Sequence, residues 1–235
     1  MTDATLAEPN VTDIEDRLRK TQAIAGAFFS VFVLLHLSNI ALAPLGVETF
    51  NNYQRLLRQF YQNPIIELFI VIGPILVHAA AGVWLFILRR KQSTRQRPLL
   101  SRLHSWAGCF LLTFIFGHIA AVRGPSFIMG VFPEFDGVAF SLWYLPYYFY
   151  PYYFLLAMAG FYHATNGLRA LAARSGYVIS QKAQINATVL AGLWIAVSLL
   201  SFGGLFVEVQ NPADNDFARL LGDIWGADPA KPIRL

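Results

Sequence analysis

Histidine is the residue type from which chemistry can be read here. The sequence holds five, and four of them, His36, His78, His118 and His163, fall one in each of four successive apolar stretches. An imidazole in such a stretch is costly to bury alone and ordinarily faces the interior of a helix bundle. A single one reads most simply as a hydrogen-bonded core residue. Four in succession point to ligation of a metal or a haem iron, which imidazole nitrogen binds well.

The elements that must position them are membrane helices. The chain has 235 residues, 56% hydrophobic and only 14% charged, with mean hydropathy +0.47. A soluble domain carries about a quarter charged residues. Five segments, roughly 22–44, 65–88, 103–123, 150–173 and 184–207, reach the ~20 residues needed to cross a bilayer. Backbone groups in lipid must be satisfied internally, so each should be a helix. The expected fold is therefore all-α: a polytopic membrane protein with five transmembrane helices, the first four forming the histidine-bearing bundle. The expected organisation is a polar segment 1–21, a membrane domain 22–207 and a polar tail 208–235. The stretch 124–149, apolar and rich in Trp and Tyr, reads as a lid lying in the outer interface.

The charge pattern sets the orientation. Arg17, Arg19, Lys20, Arg89, Arg90, Lys91, Arg95, Arg97, Arg102, Arg169, Arg174 and Lys182 fall on one side, twelve in all. The other side has six: Arg55, Arg58, Arg123, Arg219, Lys231 and Arg234. The positive-inside rule then puts the N-terminus inside and the C-terminus outside, in a bacterial inner membrane or a mitochondrial membrane. These basic residues flank apolar runs, so the net charge of +4 reads as topology and no nucleic-acid partner is expected. The N-terminus lacks the pattern of a secretory signal.

Depth along the helices sorts the histidines into pairs. His36 and His118 lie roughly 21–23 Å from the inner face, and His78 and His163 roughly 12–15 Å. Helices 1 and 3, and helices 2 and 4, face each other diagonally in an up-down bundle. Each pair can thus clasp one flat macrocycle, and two axial imidazoles suit a six-coordinate haem iron. Zinc would need three or four close ligands, and no Asp or Glu lies near. The single cysteine, Cys109, excludes an internal disulfide and a multi-cysteine cluster.

Other residues can serve this centre. Gly82 and Gly167, four residues beyond His78 and His163, leave room for a bulky ring, and Gly26, Gly73, Gly108 and Gly160 can do likewise. Close helix packing is the plainer explanation of any one of them. Asn39 in HLSN and Asn166 in HATN can orient an imidazole. Arg123 on the outer side, and Arg89, Arg90, Arg102 and Arg169 on the inner side, can hold haem propionates, although topology alone explains the inner group. His104 can contact a propionate or a quinone, or sit among the headgroups, which is the preferred reading. Glu67, isolated in PIIELFIV, can relay protons to a quinone, or simply favour a helix N-terminus.

The segments HLSN, HAAAGVW, GHIAAVR and FYHATNGLRAL, spaced over about residues 20–207, resemble the dihaem cytochrome b anchor of succinate dehydrogenases and fumarate reductases. The resemblance implies that His36, His78, His118 and His163 are axial ligands of two haems b. It also implies electron exchange with membrane quinone and a separate pair of partners, an iron–sulfur subunit and a flavoprotein. HLSN, LLRQFYQNPIIEL, HAAAGVW and LHSWAG are also similar to fungal mitochondrial membrane proteins linked to lipid homeostasis. Two alternatives stand beside the anchor reading: a stand-alone transmembrane electron-transfer cytochrome b, and a non-redox membrane adaptor or lipid-homeostasis protein. Nothing in the chain is suited to oxidise a dicarboxylate by itself, so catalysis would sit on the partners.

Overall fold

The computed structural model describes residues 11–90, 98–226 and 228–233, without the side chains of Val11, Arg89, Arg90 and Trp225. Among the described residues all regular structure is helical. Helix α1 spans Val11–Ile40 and is followed by a tight turn at Ala43–Leu45. Helix α2 is Val47–Tyr61. Helix α3, Pro64–Ile66, runs through a wide π-helical turn, Glu67–Ile72, into α4, Gly73–Arg90. Then come α5 (Leu99–Met129), α6 (Phe135–Tyr144), α7 (Pro146–Arg174), α8 (Gln181–Phe202) and α9 (Asp216–Trp225).

Local signals set several boundaries. Asn63 Oδ1 accepts the backbone N–H groups of Ile65 and Ile66, with Pro64 at the first helical position, a strong start signal. Ser180 and Asn215 cap α8 and α9 in the same way. Gly130, with φ of 70°, ends α5 in the left-handed conformation that glycine adopts without a steric cost.

Five long helices alternate in direction. Gln22 of α1 meets Gly82 near the end of α4. Tyr162 of α7 donates to the Leu100 carbonyl at the start of α5, and Gln184 of α8 donates to Thr165 of α7. At the opposite end Trp194 of α8 donates to the Ala41 carbonyl. Helix α1 packs against α4 and α7, and α7 packs also against α5 and α8. Among the described residues four stretches are long and apolar enough to cross a membrane: 12–45, 64–88, 99–129 and 181–202. The protein is therefore an integral membrane protein. Helix α7, the fourth expected span, has 29 residues but is less apolar, because Tyr147, Tyr148, Tyr150, Tyr152 and Tyr153 crowd its first two turns.

The best-packed region lies at the end where α1 finishes, here called the cap end. Phe50, Phe135 and Phe202 are almost wholly buried. Their rings meet at centroid distances of 5.7, 5.2 and 4.6 Å, two of the three pairs edge-to-face. Ala43, Ala139, Leu142, Ile195 and Leu199 complete this core. Helix α6 is thus buried within the cap. The lid expected at 124–149 is corrected in two respects: its first residues continue α5, and its apolar part faces protein on several sides instead of lying flat in the interface. The tail is also more ordered than its polarity suggests. Phe217 and Ala218 of α9 pack on Phe140 and Tyr144 of α6, and the Ile233 N–H donates to the Tyr144 carbonyl.

A polar seam joins α2 to this cap. Asn51, Arg55 and Arg58 recur at helical spacing on one face of α2. Asn51 Oδ1 accepts the Phe135 N–H at 2.9 Å, and Arg55 and Arg58 grip the Glu134 carboxylate at 2.6 and 2.8 Å. Partial burial alone would raise the Glu134 pKa, but the hydrogen bonds and charges of both arginines outweigh it and hold the group below its ordinary value. A depressed carboxyl pKa adds stability above the unfolded value of about 4.3, and that stability is lost as the pH falls. Glu134→Gln should therefore destabilise the detergent-solubilised protein by about 1 kcal/mol at pH 7, a figure discounted for solvent screening. Thermal unfolding of both proteins from pH 7 to pH 3 checks this. The gap should close on acidification, and an equal gap at pH 3 would mean that charge does not hold the seam.

Candidate functional site

The middle of the bundle is hollow. A cavity of about 1290 Å³ runs between α1, α4, α5 and α7 and reaches the underside of the cap. Typical small-molecule sites measure about 300–1,000 Å³. All five histidines line it.

Four of them face each other in two pairs. The ring centroids of His36 and His118 are 6.2 Å apart with 65° between the planes. Those of His78 and His163 are 5.8 Å apart and nearly perpendicular, at 89°. The first pair joins α1 to α5 and the second joins α4 to α7, the diagonals expected from depth along the chain. Two nitrogen–metal bonds of about 2 Å each put opposed nitrogens about 4 Å apart, and the centroids lie one ring radius further back at each end. The 6.2 Å spacing matches this sum, and the 5.8 Å spacing is slightly shorter.

Backbone carbonyls orient the second pair. His78 Nδ1 lies 2.9 Å from the Gln22 carbonyl, and His163 Nδ1 lies 3.2 Å from the His104 carbonyl. A carbonyl oxygen only accepts, so each Nδ1 carries the proton. Each Nε2 is then left with its lone pair free, the state a ligating imidazole requires. His36 instead stacks on Phe32 at 5.8 Å, and Phe32 meets Tyr61 edge-to-face.

The glycines make room for the imidazoles. A Cβ on Gly26 would lie 2.6 Å from His78 Nδ1, and one on Gly108 would lie 2.9 Å from His163 Cε1. The room expected for a macrocycle beside Gly82 and Gly167 is taken by Gln22 and His104. Gly73 faces the Leu68 carbonyl in the wide turn, and Gly160 meets Val33 at ordinary contact distance.

His104 also takes part in the site. Its ring lies face-to-face on His163, with centroids 4.1 Å apart and planes within 2°. It belongs to the cavity wall. Its signal in the sequence was a four-residue offset from Gly108, which puts both on the α5 face toward α7.

Glu67 and Arg123 form a two-pronged ion pair, at 2.6 and 2.9 Å, that ties the wide turn to α5, and Arg123 also donates to Ser126. Arg169 turns back toward Asn166, and Arg102 lies over the Trp106 ring. The Arg89 and Arg90 side chains lie outside the described residues.

Among the described residues four buried side-chain polar atoms lack a hydrogen-bond partner: Arg19 Nε, Asn39 Oδ1, Gln54 Oε1 and His104 Nδ1. All four residues line the cavity. An unpaired buried polar group costs about 1–3 kcal/mol, so their concentration here fits a space built around a polar-edged ligand. Among the described residues no cluster of three or more His, Cys, Asp or Glu side chains could hold a bare metal ion. Paired imidazoles, bare Nε2 atoms and a large apolar space instead suit a planar macrocycle with a central metal.

Fold and site together define a helical membrane protein with histidine pairs set across its bundle. The chain is similar to the succinate dehydrogenase cytochrome b558 subunit of Bacillus subtilis (strain 168), 25% identical over 205 residues, which cover 81% of this chain and 96% of that protein. The likeness is thus to a cytochrome b subunit of a succinate dehydrogenase. No family model matches the chain, and no solved structure matches it.

The fit of His163 against α5 is testable. Gly108→Ala should destabilise the protein by about 1–3 kcal/mol through overpacking. Gly117→Ala, where a Cβ would meet nothing within 4 Å, should be neutral or stabilise by up to about 1 kcal/mol. Thermal unfolding of the two variants in one detergent compares them.

Proposed function

We propose that this chain is a dihaem b-type cytochrome, the membrane anchor of a succinate:quinone oxidoreductase-like respiratory complex. The observation that carries the reading is the pair of imidazole couples facing across one cavity of four helices. His36 and His118 hold one haem iron, and His78 and His163 hold the other. When bound, the irons carry single electrons between membrane quinone and an iron–sulfur partner that is itself served by a flavoprotein. The similarity to a succinate dehydrogenase cytochrome b subunit supports those partners.

The chain's own residues bind, orient and exclude water. The Gln22 and His104 carbonyls fix two tautomers. The aromatic cap closes the cavity at its outer end. There Asn39 Oδ1 and Gln54 Oε1 stand without donors, and Gln54 Nε2 is directed at the Pro133 carbonyl, which leaves its oxygen for a ligand hydroxyl. A quinol supplies such hydroxyls. Glu67, held by Arg123, is the carboxylate assigned to proton exchange on that side.

Five membrane crossings complete the reading. Helix α7 is about 43 Å long, enough to span, and its tyrosines sit where the interface favours them. An odd number of crossings accounts for the start of α1 and the Ile233–Tyr144 bond lying at opposite ends of the bundle. The basic flanks put the N-terminus inside.

A dithionite-reduced minus oxidised spectrum of the purified protein, with haem quantified per chain, tests the reading. Two low-spin haems b are expected. His36→Ala or His118→Ala should remove one, and His78→Ala or His163→Ala the other. A protein free of haem after expression in haem-replete cells would overturn the proposal and leave the membrane-adaptor reading.

A further inference from the structure

The unpartnered buried atoms along the cavity divide by chemistry. Those toward the cap, Asn39 Oδ1 and Gln54 Oε1, are acceptors. Those where α1 begins, Arg19 Nε and His104 Nδ1, are nitrogens that can present N–H. Arginine stays protonated in proteins and has no acceptor, so the space before Arg19 is suited only to an acceptor. Arg102 and Arg174 line the same end of the cavity and add positive charge. Arg19 Nη2 is already engaged by Glu15, which anchors the side chain and leaves Nε for something else. His104 is likewise fixed: its ring stacks on His163, and its carbonyl receives the His163 proton.

We infer that Arg19 Nε–H and His104 Nδ1–H seat a carboxylate of the haem held between His78 and His163, so that this haem lies with its propionates toward the start of α1. The inference rests on the dihaem reading. It assigns the job to one residue of α1 and one of α5, whereas Arg169, one of the inner arginines expected from sequence, is turned toward Asn166. It also gives His104 a double role, in which its carbonyl orients the axial ligand while its ring holds the macrocycle's edge. The same donors could instead hold a lipid phosphate, and the test separates the two anions.

The full chain is expressed in haem-deficient cells supplied with haem or with haem dimethyl ester, whose carboxylates are blocked. The variants are Arg19→Gln, which removes the charge, and His104→Phe, which keeps a ring on His163 but removes the N–H. Arg19→Lys retains the charge and guards against a folding artefact. Release of each haem to a soluble apoprotein scavenger is followed optically, and the haem missing from His163→Ala identifies the one concerned. With haem, Arg19→Gln and His104→Phe should each release that haem about tenfold faster, the loss expected for one charge-assisted hydrogen bond. The other haem should leave at the wild-type rate, and Arg19→Lys should lie nearer wild type. With the dimethyl ester, wild type and variants should release it equally fast. Wild-type release rates in both variants with ordinary haem would overturn the inference while leaving the dihaem reading intact. A difference that persists with the ester would also overturn it and point to a lipid phosphate. Absence of haem from the wild type would overturn both.

Discussion

Phe50, Phe135 and Phe202 close on one another at the cap end, and this aromatic contact does what the centre of the bundle cannot. Helices in lipid gain little from hydrophobic burial and depend on close packing. A bundle hollowed by a cavity of about 1290 Å³ gives up much of that packing in its middle. The deficit is met at one end, where α1, α2, α6 and α8 converge on three buried rings, and by the polar seam from Asn51, Arg55 and Arg58 to Glu134 and Phe135. The ion pair between Glu67 and Arg123 adds a second tie, between the wide turn and α5, a pair of elements that otherwise lack close packing.

The hollow is shaped by small residues and main-chain atoms as much as by the histidines. Gly26 and Gly108 let neighbouring helices come within reach of an imidazole. The Gln22 and His104 carbonyls then decide which nitrogen keeps its proton. Helix carbonyls ordinarily bond within their own helix, so a second bond from an imidazole uses the remaining lone pair and adds no new polar group to the membrane. The two layers differ on this point. The His78/His163 pair is carbonyl-oriented, whereas His36 leans on an aromatic ring that touches Tyr61.

Much of this was legible in the sequence, and for physical reasons. Helix rise is constant, so the depths of His36, His78, His118 and His163 followed from counting residues, and the diagonal pairing followed from alternating directions. The failures were non-local. The apolar stretch around Phe135–Tyr144 read as interfacial because its partners, Phe50, Phe202 and Phe217, lie far away along the chain and no periodicity connects them. The stacking of His104 on His163 was not legible, because depth counted along one helix says nothing of a neighbour on another helix. At Gly26 and Gly108 the space is taken by the imidazole of a neighbouring helix, and at Gly82 by Gln22. Helix α7 has the length of a span, and its tyrosines, which serve the crowded join with α6, lower its hydropathy.

The Ile233–Tyr144 hydrogen bond carries a consequence for biogenesis. Helix α6, with most of its faces apolar, is made before α7, α8 and α9. The segment that covers one of those faces, α9 with the chain up to Ile233, is the last to leave the ribosome. Until then Phe140 and Tyr144 lack that cover. A ribosome stalled before residue 216 would therefore leave this side of the cap incomplete.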